Sequence, residues 1–277
     1  MKKTVFILIL ISVCFYNGLS FANDENKDAE NPLLSIVERT LGKDVKILSI
    51  EDAEESPVKG LRQVRVWFES VYGETPVLFY MTDDGKMFIA GSIFDSGGNN
   101  LTRRDVGNTR PRTIEISRMQ PREEYMIGSD NASVKIVMWL GTEVVSLKIF
   151  DTLHEIYLKN QDKVALYMKF YPVSKTHFHQ DFNRAVALSC FRGEDFLNGI
   201  DFLKGVSPAW ANERKDVDAF IKERGFEDCD EDIVKQDLVL AGKLNLPAHQ
   251  AVFVNGTILI SDITKENIVK LSGIELK

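Results

Sequence analysis

Cysteine is the residue type in this sequence with the most direct chemistry, and it occurs at Cys14, Cys190 and Cys229. Cys14 lies in an apolar segment at the start of the chain, and only the other two remain if that segment is removed on export. Two cysteines in an exported chain favour one disulfide. They are not spaced as CxxC, and no cluster of histidine and cysteine surrounds them, so zinc is a poor alternative.

The N-terminus has the pattern of a secretory signal peptide. A basic start, Met1–Lys3, precedes the apolar run Thr4–Tyr16, and Ser20-Phe21-Ala22 supplies small residues at the cleavage positions. We predict a signal peptide over residues 1–22 and a periplasmic protein. The apolar run is too short to span a bilayer, so we expect no membrane insertion after cleavage. An uncleaved anchor is the alternative.

Other residues with reactive side chains give weaker evidence for a functional site. His177 and His179 would lie on one side of an extended segment and could bind a metal, but no carboxylate pattern accompanies the histidines, so we expect no metal site. Ser146 lies in an apolar run without the GxSxG motif of hydrolases. No motif indicates a cofactor, and none is expected.

Composition places the chain among ordinary globular proteins. Of 277 residues, 44% are hydrophobic and 27% charged, which excludes a wholly disordered, collagenous or coiled-coil protein. The net charge is −7, and the arginines of residues 103–122 alternate with acidic residues and lack aromatic neighbours. We therefore expect a solvated connector there and no nucleic-acid partner.

The periodicity predicts a small α+β module over residues 23–95. A helix begins after Asn31-Pro32 and ends at Gly42, and Asp83-Asp84-Gly85 marks a tight turn. Strand patterns cover residues 45–50, 61–68, 76–81 and 87–94. Such a sheet with an open edge commonly pairs with another subunit. The breaker cluster Ser96–Asn100 opens a predicted linker or hinge over residues 96–125.

Residues 126–277 have a mixed α/β pattern. Strands are predicted at residues 134–140 and 164–171, with a helix at 144–158 between them. Several helices follow over residues 181–242, then a hairpin around Asn255-Gly256 and a short helix capped by Thr264. Strand, helix, strand, helical insertion, hairpin and helix form the order of a thioredoxin-like domain.

With both modules in place, the sequence resembles the DsbC/DsbG family of periplasmic disulfide isomerases over almost its whole mature length. The resemblance is carried by the segments Ser56–Leu61, Phe79–Lys86, Met168–Pro172, Asp228–Asp230 and Ala251–Thr257, in order and with similar spacing. It implies a V-shaped homodimer of cystatin-like N-terminal modules, joined by hinge helices to thioredoxin-like domains with a helical insertion. It also implies that Cys190 and Cys229 form the family's structural disulfide.

The sequence departs from the family at the catalytic motif. Counting from the strand, the CxxC position falls on Val144-Val145-Ser146-Leu147, and a second register puts it on Leu147–Phe150. Neither contains cysteine, and disulfide exchange needs a thiolate to attack and a second thiol to resolve the mixed disulfide. Glu143 would disfavour a thiolate there. The position of the family's cis-proline falls on Gln250, after His249.

We therefore predict a redox-inactive, DsbC-like dimer that acts as a chaperone or protein-binding module and holds unfolded or extended clients. The cleft of this pseudoenzyme would be lined by the following residues: Trp139, Val144, Val145, Leu147, His249 and Gln250. Two alternatives stay open. The first is thiol:disulfide isomerase activity through Cys190 and Cys229. The second is a scaffold role in an envelope secretion or conjugation assembly.

Overall fold

The computed structural model describes residues 32–42, 44–172, 177–207, 209–226, 229–247 and 250–277. The chain divides into two compact units, Met1–Arg110 and Pro111–Lys277. The predicted signal peptide, residues 1–22, lies outside the described residues. None of the helices within the described ranges is long and apolar enough to cross a membrane.

The first unit is an antiparallel sheet with a helix on one face. Its elements are α1 (Pro32–Leu41), β1 (Ile47–Glu55), β2 (Leu61–Ser70), β3 (Gly73–Thr82) and β4 (Phe88–Ala90), and the strands pair in chain order. Leu33 and Val37 of α1 pack against Val64, Val66 and Phe79. Val64 and Val66 are alternate residues of β2, so they share the face that α1 covers.

The turn between β3 and β4 forms where it was predicted. Gly85 has a φ of 69°, which glycine adopts without strain, and its N–H donates to the Thr82 carbonyl at 2.8 Å. Strand β4 is shorter than the predicted strand over residues 87–94. A separate loop follows it, in which the Asp95 carboxylate accepts the N–H groups of Gly97 and Asn99.

The second face of this sheet is covered by the start of the predicted linker. Helix α2 (Leu101–Val106) is capped by Asn100, and β5 (Arg110–Pro111) follows at the boundary of the two units. Thr102 bonds to the Tyr80 hydroxyl at 2.6 Å, and the Arg110 guanidinium lies 4.0 Å from the centre of the Trp67 ring. These residues are therefore packed on the sheet, and they are not a free connector.

The second unit is built on a five-stranded sheet in the order β10-β9-β7-β8-β6. The strands are β6 (Met126–Ile127), β7 (Val134–Leu140), β8 (Val164–Phe170), β9 (Ala251–Val254) and β10 (Thr257–Ile258). Strands β7 and β8 run parallel, and β9 is antiparallel to β7. Helix α3 (Val144–Lys159) connects β7 to β8. This is the predicted thioredoxin-like order.

Both faces of this sheet are covered. Ile136 and Met138 of β7 belong to the same core cluster as Leu147 and Phe150 of α3 and Ile268 of α8 (Lys265–Ser272). Because side chains alternate along a strand, Trp139 lies on the opposite face. The predicted linker ends among these packed residues, since Met119 and Tyr125 are fully buried. Residues 111–125 are therefore part of the second unit, in contrast to the solvated connector that their charge pattern suggested.

The residues of its turn explain why the β9–β10 hairpin forms. Asn255 has a φ of 47° and Gly256 a φ of 87°, as the two-residue hairpin turn with two positive φ values requires. A Cβ at Gly256 would lie 2.5 Å from the Ile114 carbonyl oxygen. This close approach adds a second requirement for glycine.

The helical insertion contains α4 (Phe178–Ser189), α5 (Phe196–Gly205), α6 (Arg214–Arg224) and α7 (Glu231–Lys243). Because α4 begins at Phe178, His179 is in its first turn; the extended segment expected for His177 and His179 is not formed. A disulfide joins Cys190, directly after α4, to Cys229, just before α7. It connects the end of one helix to the start of the other.

We expect the Cys190→Ala/Cys229→Ala variant to lose about 3–4 kcal/mol in free energy of unfolding. The disulfide closes a loop with a sequence separation of 39, and without it the unfolded chain gains the corresponding entropy. Urea unfolding followed by circular dichroism would measure the loss. Reductant should lower the stability of the wild type to that of the variant and leave the variant unchanged. Equal stability of oxidised wild type and variant would contradict the expectation.

Candidate functional site

The first turn of α3 presents one exposed and one buried position three residues apart. Val144 and Val145 are 58% and 57% exposed, whereas Leu147 is 4% exposed. In a CxxC motif at a helix start, an outer thiol must be reachable by the substrate and an inner thiol must resolve the mixed disulfide. Val144 and Leu147 have that arrangement in space without the thiols. The alternative register, Leu147–Phe150, begins and ends on buried residues.

The structure brings this turn together with the predicted cis-proline position. The Ser146 hydroxyl donates to the Gln250 side-chain oxygen at 3.3 Å, and Gln250 directly precedes β9. A Cβ at Gly141 would lie 2.9 Å from the Ser146 Oγ, so the strand end approaches the turn closely. His249, also predicted for this site, lies outside the described residues.

Two residues predicted to line the cleft belong to the core. Trp139 is fully buried and meets the Tyr171 ring edge-on at a centroid distance of 5.9 Å. Leu147 packs in the cluster beneath α3. Both were placed in the cleft because they flank the motif, but alternation along β7 and the helical period of α3 turn them inward. Val144 and Val145 are the apolar positions that remain on the surface of the turn.

A polar cluster missed by the sequence reasoning supports the loop before α3. The Asp181 carboxylate accepts the Thr142 N–H at 3.1 Å and also the Thr142 hydroxyl. Arg184, one turn further along α4, donates to the carbonyls of Leu203, Ser207 and Thr142. Burial lowers the pKa of the Arg184 guanidinium. Asp181 and Arg184 at i and i+3 among apolar residues were the available sequence signal.

The charge at this end of α3 is unfavourable for a thiolate. Glu143 is the N-cap residue of the helix, and it makes no capping hydrogen bond with its side chain. A reactive thiolate is stabilised by cationic neighbours and a helix N-terminus, and nearby carboxylates raise a thiol pKa. Glu143 therefore opposes the electrostatics that the catalytic motif needs.

A second buried polar cluster connects β8 to α7. The Lys169 ammonium lies 2.5 Å from the Asp237 carboxylate, and both side chains are fully buried. Arg122 contacts the same carboxylate at 2.7 Å, and the Phe170 N–H donates to its second oxygen at 2.9 Å. Burial lowers the pKa of Lys169, and the Asp237 charge opposes that shift. Lys169 also donates to the Gln120 carbonyl.

Across the described part of the chain, no group of three or more His, Cys, Asp or Glu side chains is arranged to hold a metal ion. His154 stacks between Phe150 and Tyr157, and burial lowers its pKa.

The first unit matches the model of a known protein family. The family model of the disulfide bond isomerase protein N-terminal domain matches residues 20–103. The resemblance to the DsbC/DsbG family is thereby confirmed over these residues of the first unit. A search of the curated proteins found no matching relative.

Solved structures similar to this DsbC-like chain align with part of its length. They include a conserved protein of unknown function from Enterococcus faecalis V583, with 15% identity, 58% of this chain and 95% of that chain covered, and a TM-score of 0.45. Oxidised BdbD from Bacillus subtilis has 17% identity, coverages of 55% and 94%, and a TM-score of 0.41. Proteus mirabilis ScsC in a compact conformation has 15% identity, coverages of 56% and 74%, and a TM-score of 0.43.

The motif position can be tested by restoring its thiols. We expect the variant Val144→Cys/Leu147→Cys to catalyse insulin reduction by a dithiol slowly but above the uncatalysed rate, because its two sulfurs would be exposed and buried as exchange requires while Glu143 disfavours the thiolate. Wild type and Val145→Cys/Lys148→Cys, which has the same spacing one residue later, should remain at the uncatalysed rate. Equal activity of the two double variants would mean that residues 144–147 are not the motif position.

Proposed function

We propose that this DsbC-like chain is a redox-inactive, exported binding protein that holds partly unfolded or extended segments of client proteins. The observation that carries the proposal is the first turn of α3, where Val144 and Val145 present apolar side chains at the exposed position of the family's thiol motif. Apolar surface binds clients without covalent chemistry.

The chemistry available at the turn supports binding over catalysis. Ser146, the one hydroxyl at the motif position, is 2% exposed and hydrogen-bonded to Gln250. A serine nucleophile needs an adjacent base, and the glutamine amide is not one. The two valines offer apolar area instead, worth about 25 cal/mol for each Å² that a client removes from water.

In this proposal the first unit is a cystatin-like dimerisation module of a periplasmic homodimer. The outer strands β1 and β4 of its sheet are not equivalent. Strand β1 has irregular pairing with β2 and carries Glu51 and Glu55, features that discourage edge pairing. Strand β4, Phe-Ile-Ala, carries no charge. We therefore assign the dimer contact to the free edge of β4.

Chaperone action is tested by light scattering of a denatured, cysteine-free client diluted with the mature protein. We expect wild type to suppress aggregation and Val144→Ser/Val145→Ser to do so less effectively, because its apolar contact area is smaller. Leu158→Ser is the matched control, since Leu158 is a 52% exposed apolar residue on the same helix. The Cys190→Ala/Cys229→Ala variant should act like wild type at a temperature where it is folded.

If the wild type does not suppress client aggregation, the proposal of general client holding is wrong and a dedicated partner is favoured. Suppression that the serine variant retains in full would move the binding surface away from α3. Loss of activity in the folded cysteine variant would favour the thiol alternative.

The dimer contact is tested with Ala90→Pro. The Thr82 N–H donates to the Met87 carbonyl, so Tyr80 and Ile89 form the next hydrogen-bonded pair, and the Ala90 N–H points away from β3. Proline at this position removes an outward donor without removing a bond to β3. We expect sedimentation to give a dimer for wild type and Ala90→Val and a monomer for Ala90→Pro. A monomeric wild type or a dimeric proline variant would refute the assignment.

A further inference from the structure

Three buried polar atoms along one face of β2 lack hydrogen-bond partners. Among the described residues, nothing bonds to the Gln63 Oε1, Arg65 Nε or Trp67 Nε1 atom. Gln63 is 5% exposed and Trp67 7% exposed, so their side chains are almost completely enclosed. Alternate residues of a strand share a face, so the three side chains form one row, opposite the face that α1 covers. Buried polar atoms are nearly always paired, so this row is an unusual feature of the first unit.

The row lies under residues 101–110, which we call the strap. At one end, the Thr102 hydroxyl bonds to the Tyr80 hydroxyl at 2.6 Å, and Tyr80 is the β3 residue directly opposite Gln63. The same Thr102 oxygen accepts the Ile93 N–H at 2.8 Å. Thr102 therefore fastens the strap beside the first member of the row.

The rest of the strap follows the row along β2. Arg65, the middle member, donates from a terminal nitrogen to the Asp105 carbonyl at 2.9 Å. The Arg110 guanidinium lies 4.0 Å from the centre of the Trp67 ring. The contacts of the strap thus lie in the same order as the row, but none of them satisfies Gln63 Oε1, Arg65 Nε or Trp67 Nε1.

The strap is held loosely. All of its residues are described, and none of them is buried. The ion pair between Arg110 and Glu74 joins side chains that are 62% and 49% exposed, and such pairs are weak. Lifting the strap exchanges polar contacts for contacts with water, and it also hydrates the three unpaired atoms, whose burial without partners is costly. The docked and lifted states are therefore close in free energy compared with unfolding of the unit.

The chemistry of the row matches an extended polypeptide. Gln63 Oε1 is an acceptor, and Arg65 Nε and Trp67 Nε1 are donors. Members of the row are about 6.6 Å apart along the strand, because a strand rises about 3.3 Å for each residue. An extended segment repeats its backbone N–H and C=O groups on one side at the same interval, and it offers both kinds of group. Such a segment has the partners that the strap does not supply.

We propose that the strap is a displaceable cover and that the row beneath it is a second contact for extended client segments. The inference deepens the proposed function, because it rests on the chain being a binding protein and adds regulation. The strap occupies the row in the absence of a client, and a client segment competes with it.

Opening is tested with a single introduced thiol in the mature protein, whose own cysteines are joined in the disulfide. Gln63→Cys places the thiol under the strap. Val64→Cys is the matched control, because Val64 is the next residue of the strand, is 3% exposed and packs against α1. Alkylation by iodoacetamide is followed by mass spectrometry, and each rate is divided by that of the same variant in urea. We expect Gln63→Cys to react about tenfold faster or more, because local opening is more frequent than unfolding.

Thr102→Val removes both hydroxyl bonds of the strap. It should raise the alkylation rate of Gln63→Cys further and leave that of Val64→Cys unchanged. Equal rates for the two single variants, or a rate of Gln63→Cys that Thr102→Val does not raise, would overturn the displaceable cover. An equal rise in both variants would also overturn it, because the unit would then open as a whole.

The client contact is tested by hydrogen exchange of the wild type with and without a permanently unfolded client, alkylated α-lactalbumin. We expect the client to speed exchange of the strap amides, because a bound segment holds the strap off the sheet and the 6-residue helix α2 is too short to be stable alone. Exchange of the β8 amides is the internal reference and should not change. Unchanged exchange of the strap would overturn the client contact.

The two proposals fail in different ways. If the client speeds exchange of the strap while the wild type does not suppress client aggregation, the row stands and client holding at α3 falls. If aggregation is suppressed through Val144 and Val145 while exchange of the strap is unchanged, client holding at α3 stands and the row falls.

Discussion

The buried ammonium of Lys169 is the constraint on which the arrangement of the second unit depends. A fully buried charge is tolerated only when a counter-charge and hydrogen-bond acceptors surround it. Asp237 supplies the counter-charge from α7, and the Gln120 carbonyl supplies an acceptor from the segment that enters the unit. The remaining carboxylate contacts come from Arg122 and the Phe170 N–H. Sheet, entry segment and α7 therefore have one mutual position in which the buried ammonium has both a counter-charge and an acceptor.

The position of α7 in turn fixes the candidate site. After α7 the chain passes Pro247, whose carbonyl accepts the Tyr171 hydroxyl at 3.0 Å, and reaches Gln250 beside Ser146. Helix α4 supports the loop before α3 through Asp181. A helix pair inserted into a thioredoxin-like order thus holds the first turn of α3 from two sides.

Local sequence signals were sufficient for much of this architecture. The apolar run of β7, the period of α3, the Asn255-Gly256 turn and the Thr264 cap each act within a few residues, and the structure has them where they were expected. Residues 111–125 were misjudged because alternating charges describe a solvated surface well, and only the tertiary contacts of Met119 and Tyr125 show that they are packed.

Polar pairs between distant segments could not be predicted in the same way. Asp181 and Thr142 are 39 residues apart, and neither has a local signal that indicates its partner.

The exposure of the two valines of α3 could not be predicted from the sequence either. An apolar residue at a helix start is usually buried, so periodicity alone could not separate Val144 and Val145 from Leu147. The exposed and buried positions are separated by the direction in which the chain enters α3 from β7. Gly141, just after β7, permits that direction because it approaches Ser146 closely.

The backbone of this turn is held by contacts that involve no sulfur, so a binding surface there does not depend on thiol chemistry. Thiol chemistry depends on two sulfurs and on a favourable charge at the helix start, whereas the first turn of α3 holds Val144, Leu147 and Glu143. The exposure of the first turn depends on the backbone alone, which the contacts of Asp181 and Gln250 maintain without any sulfur. In the proposed function, an apolar turn that is supported in this way needs no sulfur to serve recognition.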